Sequence, residues 1–388
     1  MTGRDRAMRY LKVLGSLGLL AILVSNVWSM SHWTEARGIN DDFCYLRQAH
    51  LFQRFGLGGL DTDISRDDDH YMAPKMKEMG KPTWNDPTTA PCHSVMPATN
   101  KRVMQYPPGT GFVLALFPQG FQVIPLFVLA TVAIFGFGLL AIAYSVTTLS
   151  ILLTSAFADL AVYMMINPTK ASYSMAPTMV VCTLIGFLTA RLFVKAPQRH
   201  RVLLTILLGF LIGLAVNFRV ANLLLSAGYF LFFAFAFLGS RKSETVVEGG
   251  LFGIAFFAGI APTLIANTIN AGGPLTTTYT EGDAAPPSFD AAVLWSYLTD
   301  LQGVLLVLAV AWIVLILRTR RGEGIRQVAF VTALNLFVNL AFFLSHPVVT
   351  PYYTIPIAML SLWSLLFASL VQPAEAGDDV VPRQAATA

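Results

Sequence analysis

Residues 122–144 read QVIPLFVLATVAIFGFGLLAIAY, without one charged side chain. A helix of that length rises roughly 34 Å, enough to cross a hydrocarbon core of about 30 Å. Similar runs recur along the 388-residue chain, at 11–30, 147–166, 174–194, 202–217, 220–238, 250–269, 296–317, 327–345 and 353–371. The chain is 55% hydrophobic and 12% charged, a balance that no soluble domain of this length has. The runs are continuous rather than alternating, so they predict helices and not the strands of a barrel. The expected fold is an all-α polytopic membrane protein with about ten transmembrane helices. The pair 202–217 and 220–238 also reads as one long bent element.

The first run follows Arg4, Arg6, Arg9 and Lys12. It lacks a small-x-small cleavage site before Trp28, so it is expected to be retained as a first helix. With the N-terminus cytoplasmic, the cytoplasmic loops carry Lys195, Arg199 and Arg201, then Arg241 and Lys242, then Arg318, Arg320, Arg321 and Arg326. The short opposite loops carry only Lys170 and Arg219. Basic loops mark the cytoplasmic side, so both ends are expected there. The net charge of +4 then reports orientation, and no basic patch points to nucleic acid. The chain divides into residues 1–30 (cytoplasmic end and first span), 31–107 (a long first extracytoplasmic loop), 108–371 (a helical bundle) and 372–388 (a cytoplasmic tail expected to be disordered). Ten of the 22 acidic residues fall in 31–107, and Asp159 sits well inside a predicted span. A transporter would place its polar groups nearer mid-membrane, and no internal repeat is visible.

Six stretches carry the polar chemistry. In GINDDFCYLRQAHLF, residues 38–52, Asp41 and Asp42 suit a helix N-terminus or the working end of an enzyme. After them Tyr45, Ala49, Phe52 and Phe55 fall on one helical face and Arg47, His50 and Arg54 on the other, predicting an amphipathic helix along the interface. QYPPGTGF, 105–112, holds Tyr106 and leads into a short interfacial or re-entrant helix over 109–118. NPTKASYSM, 167–175, supplies Lys170, Ser172 and Tyr173. GLAVNFRVANLL, 213–224, holds Arg219 between two apolar runs. An arginine at that depth needs an anion, either Asp159 or a phosphate that arrives with a lipid. NTINAGGPLTTTYTEGD, 267–283, is rich in small residues and hydroxyls. HPVVTPYYTIP, 346–356, brings His346, Tyr352 and Tyr353, tyrosines that serve either as interfacial belt residues or as substrate contacts. Cys44 and Cys92 share the 31–107 loop and, in an oxidising compartment, either form a disulfide or remain buried thiols. DTDISRDDDH, 61–70, is oxygen-rich enough for Ca²⁺ or Mg²⁺ but lacks the spacing of a calcium loop, and reads as a solvated acidic turn.

In their order along the chain, DDFCYLRQAHLF, YPPGTGF, GLAVNFRVANLL, NAGGPLTTTY and PYYTIPIAML resemble the GT-C superfamily of membrane glycosyltransferases. The nearest in pattern are the protein O-mannosyltransferases, the aminoarabinose transferase of lipid A and bacterial lipopolysaccharide transferases of that type. The resemblance implies a bacterial inner-membrane enzyme whose site faces the periplasm. It would move a sugar from a polyprenyl-phosphate donor to a hydroxyl on a glycan, lipid or protein, usually with inversion. It implies Asp41 or Asp42 as general base, Arg219 and Lys170 as donor-phosphate ligands, and Tyr45, Tyr106, Tyr173, His346, Tyr352 and Tyr353 as substrate contacts. The family pair is often Asp-Glu, whereas this chain has Asp-Asp, so either aspartate can be the base. No cofactor is firmly implied, and a divalent cation is left open. A lipid-linked sugar flippase or exporter is the alternative class; it needs cations and a groove but no carboxylate pair.

Overall fold

The computed structural model describes residues 3–34, 40–78, 92–166, 172–195, 198–279, 287–319, 322–346, 350 and 352–371. The side chains of Asn40 and Asp41, the residue Lys170 and the tail 372–388 lie outside the described residues. In chain order the helices are α1 (Gly3–Met30), α2 (Asn40–Phe55), α3 (Met72–Glu78), α4 (Gly109–Ala115), α5 (Val123–Tyr144), α6 (Thr148–Tyr163), α7 (Met175–Ala190), α8 (Gln198–Val216), α9 (Ala227–Ser240), α10 (Ser243–Ala271), α11 (Ala291–Thr299), α12 (Leu301–Arg318), α13 (Glu323–Ser345) and α14 (Ile355–Leu370). Strands β1 (His93–Met96) and β2 (Lys101–Met104) pair antiparallel, Ser94 opposite Val103.

Seven described helical segments are long and apolar enough to cross a membrane: Arg4–Met30, Val123–Tyr144, Met175–Val194, Val220–Ser240, Ser243–Ala271, Leu301–Arg318 and Glu323–Ser345. Thr148–Tyr163, His200–Val216 and Ile355–Leu370 are shorter apolar helices. This is a helical membrane protein. Each boundary has a local cause. Thr147 and Ser150 form a reciprocal capping box at the start of α6. The apolar run expected from 296 breaks at Asp300, whose carboxylate accepts the Leu301 N–H (2.8 Å) and starts α12 anew. The 202–238 region is two elements, because Asn217 and Phe218 turn the chain and a 3₁₀ segment, Val220–Ser226, precedes α9.

The bundle core packs by close backbone approach. Gly213 of α8 and Gly259 of α10 each face the partner backbone, where a Cβ would strike the carbonyls of Phe256 and Phe210. At the end of that seam the Asn217 side chain donates to the Gly259 carbonyl (2.7 Å) and accepts from the Thr263 N–H (3.0 Å). It thus bridges two groups of one α10 turn, beside Pro262. This fixes the turn that carries Arg219.

Residues 40–78 and 92–105 form a polar lobe over the ends of α7, α8 and α10, and three expectations are corrected there. The lobe contains a β-hairpin as well as helices. α2 is no surface helix: residues 42–49 are all buried, and Arg47, expected on its polar face, is 0% exposed. The acidic stretch 61–70 is solvated only in part: Asp68, Asp69 and His70 are exposed, while Thr62, Asp63 and Asp67 meet α2. Arg47 donates to the carbonyls of Thr62 (2.9 Å) and Asp63 (2.9 Å) and to His93 Nε2 (3.1 Å), with Asp67 3.9 Å from its Nε. Arg54 pairs with Asp68 (2.7 Å) and Asp69 (3.3 Å), and His50 with Asp69 (2.7 Å). The sequence pattern missed this because the acceptors of Arg47 are mostly backbone carbonyls, which no residue type advertises.

A disulfide joins Cys44 to Cys92, 48 residues apart, with Cα atoms 6.6 Å apart. It ties α2 to the hairpin, and closing such a loop stabilises by about 4 kcal/mol in the chain-entropy model. The lobe is anchored to the bundle by Asn270 of α10, which accepts the Thr62 N–H (3.0 Å) and donates to the Leu60 carbonyl (2.8 Å).

Breaking the buried Arg47 network takes the donor from the Thr62 and Asp63 carbonyls and the nearby cation from Asp67, at a cost of roughly 3–5 kcal/mol. Arg47→Met is therefore expected to expose the lobe to protease and lower the thermal midpoint in detergent. Arg54→Met, at the lobe surface, is expected to change little. Equal effects of the two substitutions would contradict this account.

Candidate functional site

Four chain segments meet where the lobe joins the bundle. The Asp42 carboxylate is fully buried at the start of α2. Its Oδ1 accepts the Tyr173 backbone N–H (2.7 Å) and the Ser172 hydroxyl (3.2 Å). Ser174 donates to the Ser172 hydroxyl (3.1 Å). Residues 172–175 therefore form a strap at the head of α7, with Asp42 on one side. Arg219 holds the other side: its Nη1 points at Met175 Sδ, 2.8 Å away.

The re-entry stretch closes the arrangement. The Gly109 N–H donates to the Asn217 carbonyl (2.7 Å), and the Thr110 hydroxyl donates to the Phe218 carbonyl (3.2 Å). A Cβ on Gly109 would lie 2.6 Å from the Asn217 carbonyl oxygen, so glycine is required for this contact. α4 then packs on α2, where Phe52 meets Phe112 edge-on at 5.6 Å. Sequence reasoning singled out Arg219 and Ser172 but missed Asn217 and Met175. The signal was present in Asn217, a lone amide at the end of an apolar run.

Arg219 is half-buried, and among the described residues it meets no strong acceptor. Its guanidinium lies 4.9 Å from the Tyr352 ring and 5.6 Å from the Tyr353 ring, and a thioether is a weak acceptor. Among the described residues no carboxylate pairs with it. Asp159, weighed as its partner, sits instead against Gly18 of α1. A cation cradled by two aromatic faces, with its strong donors unspent, is built to receive an anion.

The other expected site residues divide. Tyr45 and Tyr106 are in ring contact (5.0 Å), and Tyr106 meets Tyr279 (6.3 Å), giving an aromatic run beside the first turn of α2. Tyr173 is 1% exposed; its backbone N–H serves Asp42 and its ring lies edge-on to Phe127 (6.3 Å). His346 is not drawn into the cluster. Its Nδ1 meets the Phe342 carbonyl (2.7 Å) and its ring stacks on Phe342 (4.1 Å). Cys44, two residues from Asp42, holds α2 by its disulfide and takes no part in the polar cluster. No group of three or more metal-ligating side chains occurs among the described residues.

The lobe charges are tuned by one another. Burial pulls the Arg47 guanidinium down to about 10, against the pull of Asp67, Asp63, Asp69 and Asp61, so it stays charged at neutral pH. The hydrogen bond from Arg54 holds the Asp68 carboxyl below its ordinary value. Burial pushes Asp69 up, but the His50 hydrogen bond and nearby charges bring it down overall.

Comparison of the chain with protein-family models, with curated proteins and with solved structures finds no match.

Two outcomes follow. Gly109→Val is expected to push α4 off the Asn217 turn, read as new accessibility of a cysteine placed at Thr110; continued protection would contradict the contact. Asp68 and Asp69 have lowered folded values. Their contribution is therefore present above the unfolded value of about 3.9 and lost as pH falls through the folded values. Hydrogen-exchange protection in the lobe, corrected for the intrinsic pH dependence of amide exchange, should stay constant from pH 7 to 5 and fall only in stronger acid. Loosening between pH 7 and 5 would contradict this.

Proposed function

We propose that the chain is a membrane glycosyltransferase of the GT-C kind. It would transfer a sugar from a polyprenyl-phosphate carrier to a hydroxyl of a cell-envelope glycan, lipid or protein. The observation that carries the reading is the strap 172–175, which has the acidic-pair residue Asp42 on one side and the uncompensated Arg219 on the other.

The chemistry follows from that juxtaposition. The donor phosphate docks on Arg219, with Tyr352 and Tyr353 as its aromatic walls and Lys170 as a second cation. The acceptor oxygen attacks the anomeric carbon and gives its proton to a carboxylate at the start of α2. The bond from that carbon to the phosphate oxygen breaks, and the electron pair leaves with the phosphate. Arg219 stabilises the charge that develops there. Asp42 already accepts two hydrogen bonds from the strap, so it suits the positioning role. Asp41, its neighbour, suits the base. Tyr45 and Tyr106 flank the sugar.

The same reading sets the topology. Arg201, Arg241, Lys242, Arg318 and Arg326 lie at the helix ends away from the lobe. By the rule that basic loops stay inside, that end is cytoplasmic and the lobe is extracytoplasmic. The three shorter apolar helices then complete ten spans, and a bacterial inner membrane is the setting.

Proteoliposomes holding the protein and a polyprenyl-phosphate sugar test the proposal. Asp41→Asn is expected to abolish transfer while folding and donor binding persist. Arg219→Ala is expected to weaken donor binding at least about tenfold, as loss of a charge-assisted contact of 1.5–3 kcal/mol requires. Full transfer by an Asp41→Asn, Asp42→Asn double variant would overturn the proposal. Donor translocation without transfer by the unaltered protein would instead mark an exporter.

A further inference from the structure

Asp159 is the residue that the proposed chemistry leaves unused. Among the described residues it is the one acidic group in the interior of an apolar helix, more than two turns from the start of α6. Its Oδ1 is shielded and accepts no hydrogen bond from any described residue, and the hydroxyl of Ser155, one turn earlier, is equally unpaired. A Cβ on Gly18 of α1 would lie 4.0 Å from Asp159 Oδ2. The seam between α1 and α6 is otherwise closed, with Asn26 donating to the Val162 carbonyl (2.6 Å).

α1 is the least covered of the seven long spans, with 17% of its apolar window buried. Gly18, which faces Asp159, is exposed, and the same exposed side of α1 carries the small residues Ala21 and Ser25 among Leu17, Val24 and Trp28. Small residues in a membrane helix allow another backbone to approach closely. A carboxylate in hydrocarbon is costly unless it is paired. Lipid tails would cover the edge and leave the charge alone. Among the described residues, a second copy of this chain offers no cation at that depth. Among the described residues, Lys12, Arg191, Arg201, Arg318 and Arg326 lie near the helix ends away from the lobe, and Arg219 lies beneath the lobe.

We infer that the α1–α6 seam is a docking surface for one transmembrane helix of another protein, bearing a lysine or arginine that pairs with Asp159. The incoming helix packs on Gly18, Ala21 and Ser25, and its cation reaches the Asp159 carboxylate. The inference does not depend on the transferase reading, since none of the residues it uses belongs to the strap or to the turn that carries Arg219.

The test uses the full chain in lipid vesicles with labelled leucine-alanine peptides of about 20 residues, carrying Lys, Leu or Glu at mid-length. Energy transfer between peptide and protein reads association. The Lys peptide is expected to bind about tenfold more tightly than the Leu peptide, and the Glu peptide no better than Leu. Asp159→Asn should remove the preference by removing the charge. Gly18→Ile should remove it by blocking approach, with the carboxylate intact. Equal binding of Lys and Leu peptides, or a preference that survives Asp159→Asn, would overturn the inference. So would Asp159-dependent self-association of the chain. A fall in the thermal midpoint of Asp159→Asn without peptide would also overturn it, by marking the carboxylate as an internal brace.

Discussion

The buried carboxylate of Asp42, bound to the Tyr173 N–H, is the contact on which the rest of the arrangement depends. It joins the polar lobe to the head of α7 at one point, inside the protein, where a hydrogen bond to a charged group is strong and an unmade one is costly. That point sets where α2 begins, and hence where Asp41 enters the chain. It also sets the strap that Met175 continues, against which Arg219 lies. The Gly109–Asn217 contact then fixes the adjoining turn, which carries Arg219. One anchor thus holds the strap and the other the turn whose cation lies against it.

Charge in this molecule is sorted by depth. The lobe spends most of its acids internally, on Arg47, Arg54, His50, Arg66 and Lys101. Arg219 is left out of that account, and its partners are a thioether and two tyrosine rings. An arginine placed for stability alone would gain more from a carboxylate than from a thioether and two rings. That imbalance is what favours an anionic ligand over a structural ion pair.

The spans were legible because hydrophobic length is a one-dimensional property, and 122–144 needed no partner to be read. Helix breaks were less so: Asp300 ends one run only because its side chain caps the next. The burial of α2 was misread. Its alternation of Tyr45 and Arg47 suits an interface equally well, and what buries Arg47 is the backbone of residues 62 and 63, brought in by the disulfide and by Asn270. Of the candidate site, the residues were largely legible and their grouping was not. Tyr352 and Arg219 stand far apart in sequence, and nothing local says that they touch. His346 shows the converse: a residue chosen by its stretch, which the fold uses only to close its own helix end.

The claim that most of this rests on is that Arg219 holds an anion beside the start of α2. A structure of the protein with a polyprenyl-phosphate sugar bound tests it most directly. The account predicts a phosphate oxygen about 2.7–2.9 Å from the Arg219 guanidinium, the range of charge-assisted hydrogen bonds, with the sugar over the first turn of α2. A phosphate seated elsewhere, with Arg219 still on Met175 and the two tyrosines, would contradict it.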